Sequence, residues 1–513
     1  MTSNLDTALT TIIKNFPGPG GAVAVLRAGE ILLAHSWGFA NVERRIPFTR
    51  KTLFRMCSIT KQFTCGVMLD RFPDPGVLDA DVAARLPALE AAAPTARQLA
   101  HNQSGLRDYW AVAMLHGSPI EAPFGDAEAD KVIAGTRTLH FTPGTRYSYV
   151  NQNYRLLSDI LQARTGKSFA ELLRTRLFEP AGMESAFLAT DTTAMPDGTE
   201  GYEGSPEAGF RPAVNRVFWT GDAGLGASLD DMIAYEQFID ATRNDEQSLY
   251  RRLSVPVSFV DGNPAGYGFG LARFPVHGRA ATGHGGALRG WRSQRLHIAA
   301  ERLSVVVMFN HLADAGAAAA QLAAAALDET APAPVPGAAT GWGGAYLDPE
   351  TNLLIRIADA DGKIRLLYGH FPEFLDVQED GAATNGGTML LATEAGLVMQ
   401  RRNENISVLL EKLGGMPIPD IAGMYRCDEL NADLTIADAG GAFYGAFSGF
   451  LGPGRMELLT PIAGDIWTIP CPRALDHTPP GDWTIRITRN EAGRPNGLTL
   501  GCWLARNLPY RKR

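Results

Sequence analysis

A stretch without periodicity and rich in proline, alanine and glycine, DETAPAPVPGAAT at 328–340, splits the sequence into two parts of different character. Before it, helical and strand patterns alternate. After it, short alternating strands and glycine-rich turns dominate. With 513 residues and 45% hydrophobic content, the chain is too long for one ordinary core, so several domains are expected.

In the first part, MTSNLDTALTTIIKNF reads as an amphipathic helix. GGAVAVLRAGEILLAHSWGFAN reads as a hairpin turning at Ala28-Gly29. Helices are expected over 56–69, 151–165, 169–177 and 230–239, and strands over 266–274 and 303–310. The alanine-rich run at 315–327 reads as a closing helix. Strands at both ends of a helical middle imply an α+β layered domain.

The second part contains an internal repeat. GAYLDPETNLLIRI starts at Gly344 and GMYRCDELNADLTI at Gly423. Each places Tyr two residues and Glu six residues after the glycine, then a strand, then a Gly-rich turn and a Tyr-Gly pair. Two similar antiparallel barrels fit this pattern.

Several functional classes are disfavoured. The net charge is −8 and no dense Lys/Arg stripe appears, which argues against a nucleic-acid partner. The amino terminus lacks a basic start followed by an apolar core, and the longest apolar run, 317–327, is too short to span a bilayer. A cytoplasmic protein without a membrane partner is the expectation. The cysteines (Cys57, Cys65, Cys427, Cys471 and Cys502) are odd in number and lack metal-ligand spacing, so buried packing is expected. No H-E-x-x-H pair occurs; no metal and no cofactor are expected.

The chemistry centres on MCSITKQF. Ser58 and Lys61 stand three positions apart, one turn on a helix. A serine hydroxyl is a weak nucleophile until a base takes its proton. A lysine is such a base only when burial or a neighbouring cation lowers its pKa. The apolar neighbours Met56, Cys57, Ile59 and Phe63 suit burial, and free N–H groups at a helix start suit an oxyanion. S-x-x-K alone is weak, but Tyr149-Val150-Asn151 follows, and later His284-Gly285-Gly286 within TGHGGALRGW.

The ordered set S-x-x-K, Y-x-N, H-x-G resembles the serine β-lactamase and penicillin-binding protein superfamily, in the branch of class C β-lactamases, D-stereospecific peptidases and related esterases. HNQSGLRDY, FEPAGM, GDAGLGASLDDM and YGFGL fall in family order. The resemblance implies that Ser58 attacks a carbonyl and Lys61 takes or relays its proton. It makes Tyr149 a shuttle to the leaving group and gives Asn151 a substrate-binding or lysine-positioning role. His284 replaces the lysine of many relatives, and Gly286 and Ala287 border the substrate. The N–H groups of Ser58 and Ala287 would form the oxyanion hole. A histidine at the third motif carries less fixed positive charge, which weakens recognition of a substrate carboxylate.

Along the whole chain the sequence resembles the bacterial D-aminopeptidase family. CSITKQFTC, HNQSGLRDYW, EGYEG, FIDATR, LYRRLS, TGHGGALRGWR, GAFYGAFSGFLG and LGCWLAR carry the likeness. It implies a β-lactamase-like catalytic domain over 1–327, the linker 328–340, and antiparallel β-barrels over 341–416 and 417–513. The implied activity is removal of small N-terminal D-residues, such as D-alanine, from peptides, amides and esters, with β-lactams as inhibitors and a homodimer as the assembly. A free α-ammonium needs a carboxylate. In the family a last-domain loop supplies it, which here is 470–483 with Asp476. The competing readings are an esterase, a β-lactamase or a D,D-carboxypeptidase on the same Ser/Lys/Tyr site, or a non-catalytic penicillin-binding sensor. Asp476 separates the other hydrolases, none of which needs an ammonium site, and the complete set of Ser58, Lys61, Tyr149 and His284 argues against the sensor.

Overall fold

A computed structural model of the chain describes residues 2–119, 121–329, 340–369, 372–379, 381–471 and 481–513. The strand Gly20–Arg27 is buried along nearly its whole length, as its unbroken apolar sequence requires. It pairs antiparallel with the equally buried Leu303–Phe309 on one side and with Glu30–Asn41 on the other. The two ends of the first part therefore meet at the centre of an eight-stranded antiparallel sheet. Ala28 (φ 56°) and Gly29 (φ 79°) make the tight mirror-image turn predicted for the hairpin. The helices Thr2–Asn15 and Ala315–Ala326 cover one face of the sheet. The small side chains of the alanine helix let it lie close against the strands. The helical middle of the domain packs on the other face.

Two expected elements differ. The helix predicted over 56–69 starts later: Phe54–Cys57 is a strand paired with Leu225–Ala227, Ser58 sits in the turn after it, and the helix runs Thr60–Arg71. Sheet pairing and a left-handed Cys57 (φ 53°) override the helical periodicity there. The strand predicted over 266–274 is broken into Tyr267–Gly268 and Leu271–Val276. Phe269 (φ 47°) and Gly270 (φ 74°) turn between them. A Cβ at Gly270 would stand 2.4 Å from the Lys61 backbone carbon, so this turn seats directly on the start of the helix.

The second part forms two antiparallel, barrel-like sheets, one with strands from Gly344–Asp348 to Glu411–Lys412 and one from Gly423–Cys427 to Ala505–Lys512. The internal repeat is visible in three dimensions. Gly344 (φ 146°) and Gly423 (φ 148°) share a backbone conformation. The Tyr346 hydroxyl donates to the Trp342 carbonyl, and that of Tyr425 to the Ile421 carbonyl, the same four-residue step back. Lys412 lies over the Tyr346 ring and Lys512 over the Tyr425 ring. The fold is thus α+β, with a β-lactamase-like domain followed by two antiparallel barrel-like domains.

Both barrels touch the first domain beside the same cleft. Arg107 pairs with Glu429, both nearly buried, and donates to the Arg506 carbonyl. The Tyr147 N–H donates to the Glu404 carbonyl, and Asn405 donates to the Thr145 carbonyl.

Candidate active site

Cys57 is the last strand residue before Ser58, and its left-handed backbone costs of the order of 1–3 kcal/mol. The surrounding packing holds it there. Gly286 lies against it: a Cβ on Gly286 would come within 2.4 Å of the Met56 carbonyl oxygen and 3.1 Å of the Cys57 Cβ. The strand Arg279–Leu288 therefore crosses directly beside the nucleophile turn, with Ala287 as its next residue. Ser58 is 6% exposed, and Lys61 is fully buried.

Lys61 Nζ lies 3.0 Å from Ser58 Oγ, 2.9 Å from Asn151 Oδ1 and 2.8 Å from the Asp222 carbonyl. Those three acceptors match the three protons of an ammonium. Burial nevertheless lowers the Lys61 pKa to about 8, against the opposing pull of Asp222 and Asp108. The amine is thereby brought within reach of its neutral, proton-accepting form.

Asn151 is oriented from below. Its Nδ2 donates to Asp108 Oδ2 (3.0 Å) and its own N–H to the same oxygen (2.5 Å), which leaves Oδ1 facing Lys61. Burial raises Asp108 to about 7. The Asp222 carboxylate accepts from the Tyr109 hydroxyl at 2.7 Å. Lys61 thus rests on two buried carboxylates without contacting either directly.

Tyr149 is half-buried, and its ring lies 4.8 Å from Lys61 Nζ. Burial pushes its pKa well up, partly offset by its hydrogen bond to Ser58. It is a neutral phenol at any working pH. Trp503, from the last barrel, stacks on it with ring centroids 6.4 Å apart and planes 9° from parallel.

His284 carries no charge at neutral pH. Burial, with Lys61 nearby, lowers its pKa to about 3. Its Nδ1 faces the Gly285 carbonyl at 2.5 Å and its Nε2 the Tyr267 hydroxyl at 2.9 Å. A carbonyl only accepts, so the proton sits on Nδ1 and Nε2 accepts from Tyr267.

The structure brings Ser58, Lys61, Tyr149 and Asn151 into contact and sets His284 and Gly286 along the wall. Asp476 lies outside the described residues. Asp108, Asp222, Tyr267 and Trp503 were given no role from sequence. All four fall inside strings that carry the family likeness, so the signal lay in those strings rather than in any local spacing. Among the described residues no cluster of His, Cys, Asp or Glu is arranged to hold a metal, and no helix is long and apolar enough to cross a membrane. All five cysteines are free and buried.

The sequence profile of the β-lactamase family matches residues 9–328, and that described as D-aminopeptidase, domain B, matches residues 336–511. In fold, the octameric penicillin-binding protein homologue from Pyrococcus abyssi aligns with 89% of this chain and 99% of its own, with a TM-score of 0.53 and 19% identity. Fold and site define the class as a β-lactamase-like serine hydrolase. A D-aminopeptidase of Gluconobacter oxydans is 59% identical over 519 residues, covering 99% of each chain. Another from Cereibacter sphaeroides is 49% identical over 511 residues, covering 99% of this chain and 98% of that protein. The chain belongs to the D-aminopeptidase family.

Proposed function

We propose that this enzyme removes small N-terminal D-residues, D-alanine above all, from peptides, amides and esters through an acyl-enzyme on Ser58. The observation that carries this reading is the 3.0 Å contact between Ser58 Oγ and a buried Lys61 whose pKa is held near 8, in a chain of this family. Neutral Lys61 takes the Ser58 proton as Oγ adds to the scissile carbonyl. The N–H groups of Ser58 and Ala287 receive the oxyanion. Tyr149 gives its proton to the leaving nitrogen as the C–N bond breaks, and the Lys61 ammonium passes the proton it took to the Tyr149 oxygen beside it. Water then attacks the ester by the reverse relay, releasing the D-amino acid and free Ser58.

A neutral His284 supplies no cation for a substrate carboxylate, which supports an aminopeptidase over a D,D-carboxypeptidase. In this reading Asp476 holds the substrate α-ammonium, a role that rests on the family resemblance. Ammonium and oxyanion positions together leave space for a side chain on only one hand of the Cα. The proposal includes inhibition by β-lactams, a homodimer and a cytoplasmic location. Purified protein is assayed with the p-nitroanilides of D-alanine and L-alanine, with N-acetyl-D-alanine p-nitroanilide as control. Turnover of the free D-form alone is expected. Brisk hydrolysis of p-nitrophenyl acetate without it would move the enzyme to the esterase reading.

A further inference from the structure

Away from the Ser58 cleft, the first domain holds a cavity of about 880 Å3 between the helices Leu229–Ala241 and Leu249–Leu253 and the strands Leu271–Val276, Arg279–Leu288 and Trp291–Ile298. That volume suits a small organic ligand. The lining is chemically divided. Ile239, Pro275 and the Tyr250 ring give it an apolar side, while its charged side groups are four arginines against a single aspartate.

Two of those arginines, Arg243 and Arg302, share Asp240. The other two have no carboxylate partner among the described residues. Arg251 is exposed and its guanidinium carries no hydrogen bond to another described residue. Arg273 donates to the Val255 carbonyl through Nη2, while its buried Nε has no partner. Ser248 also lines the cavity. It is 6% exposed, its Oγ is unpartnered, and it does not cap the helix that follows it. A buried hydroxyl without a partner costs about 1–3 kcal/mol, which a ligand oxygen would relieve. In a chain of net charge −8, this concentration of unneutralised guanidinium is a local reversal of sign.

We propose that this cavity is a second ligand site, which takes an amphiphilic oxyanion: a carboxylate or phosphate group on a short apolar body. Arg251 and Arg273 clamp the oxyanion, as planar guanidinium donors do, Ser248 donates to it, and the apolar tail covers Pro275 and the Tyr250 ring. The site reaches the catalytic helix through few steps. Tyr250 lines the cavity, its hydroxyl bonds Thr282 at 2.7 Å and accepts from Arg295 at 2.6 Å, and Arg295 donates to Gln62, the neighbour of Lys61.

Isothermal titration of the whole protein with sodium hexanoate, hexyl phosphate, inorganic phosphate and hexanol tests this. Both amphiphilic anions are expected to bind and hexanol to fail; the stronger anion tells carboxylate from phosphate ligands. Arg251→Glu changes an exposed, unpartnered side chain and is expected to weaken binding at least tenfold, roughly the worth of one charge-assisted contact. Ala280→Glu, an exposed position in the same lining, provides a second negative charge if the first variant folds poorly. Both variants keep wild-type turnover of D-alanine p-nitroanilide without probe. No binding by either amphiphilic anion, or equal affinity in wild type and variants, overturns the proposal.

Discussion

Trp503 of the last barrel lies flat on Tyr149 of the first domain, their ring planes 9° from parallel. A Cβ on Gly369, in the first barrel, would stand 3.0 Å from the Trp503 ring, so this one side chain joins all three parts of the molecule beside the nucleophile. The Asp108 N–H also donates to the Leu504 carbonyl at 2.9 Å, which ties the residue orienting Asn151 to the same hairpin. The barrels are therefore part of the site's framework.

Replacing Trp503 with alanine frees the Tyr149 ring. Stacked pairs contribute about 0.5–1.5 kcal/mol beyond burial, and a misplaced proton donor is felt mainly in kcat. A fall in kcat of about tenfold with little change in KM is expected, read by steady-state kinetics. An unchanged kcat would reduce the stacking to a structural contact.

Ser58→Ala should abolish turnover with an unchanged circular dichroism spectrum, because the residue is small and its hydroxyl bonds side chains of the site itself, Lys61 and Tyr149. Mass spectrometry after incubation with benzylpenicillin should show an adduct on the wild type and none on the variant. An adduct on Ser58→Ala would refute the nucleophile assignment.

The pH profile follows from Lys61. Its pKa of about 8 keeps it a proton-bearing ammonium below that value and frees it as a base above. Hydrolysis of p-nitrophenyl acetate, which has no amine, should rise with pH through a midpoint near 8. D-Alanine p-nitroanilide should instead give a bell, because its own ammonium deprotonates at about 8 and loses its anchor. Lys61→Met should remove the rising limb and lower the rate by roughly 100-fold or more.

Gly286→Ala places a methyl group 2.4 Å from the Met56 carbonyl and 2.1 Å from Ser293 Oγ. The serine can rotate away but the carbonyl belongs to the strand that positions Ser58. A loss of about 1–3 kcal/mol in stability is expected by urea denaturation, with slowed acylation. Wild-type values for both would mean that the two strands separate more easily than their packing implies.

Asp476→Ala separates substrates by charge. Loss of a charge-assisted contact of about 1.5–3 kcal/mol predicts roughly 10- to 100-fold weaker kcat/KM on D-alanine p-nitroanilide. N-blocked esters should be little affected. Equal losses on both would remove its role as the ammonium anchor.

The hairpin at Ala28-Gly29, the alanine helix and the barrel repeat were legible because each depends on local periodicity or on a turn needing positive φ. Ser58, Lys61 and the Tyr149–Asn151 pair were legible because they fall in short strings of residues that occur in family order. Ser58 itself was misplaced onto a helix: the apolar run through Met56 and Cys57 satisfies a strand as well as a helix, and only pairing with Leu225–Ala227 decides between them. The neutral state of His284 had no sequence signature, since it depends on the Tyr267 hydroxyl and on burial.

By itself the sequence determined the order of the catalytic motifs, the α+β domain with its two barrels and the family. These follow from local pattern and from short strings of residues. Only the tertiary structure decided what each group can do. Asp108, Asp222 and Lys61 are far apart in the chain, and the lysine pKa near 8 exists only because folding buries the amine, a shift that the two carboxylates beneath it partly offset. Trp503 reaches Tyr149 from more than 350 residues away, across a domain boundary that no periodicity encodes. Burial and long-range contact set charge states and positions, and neither is a property of the local chain.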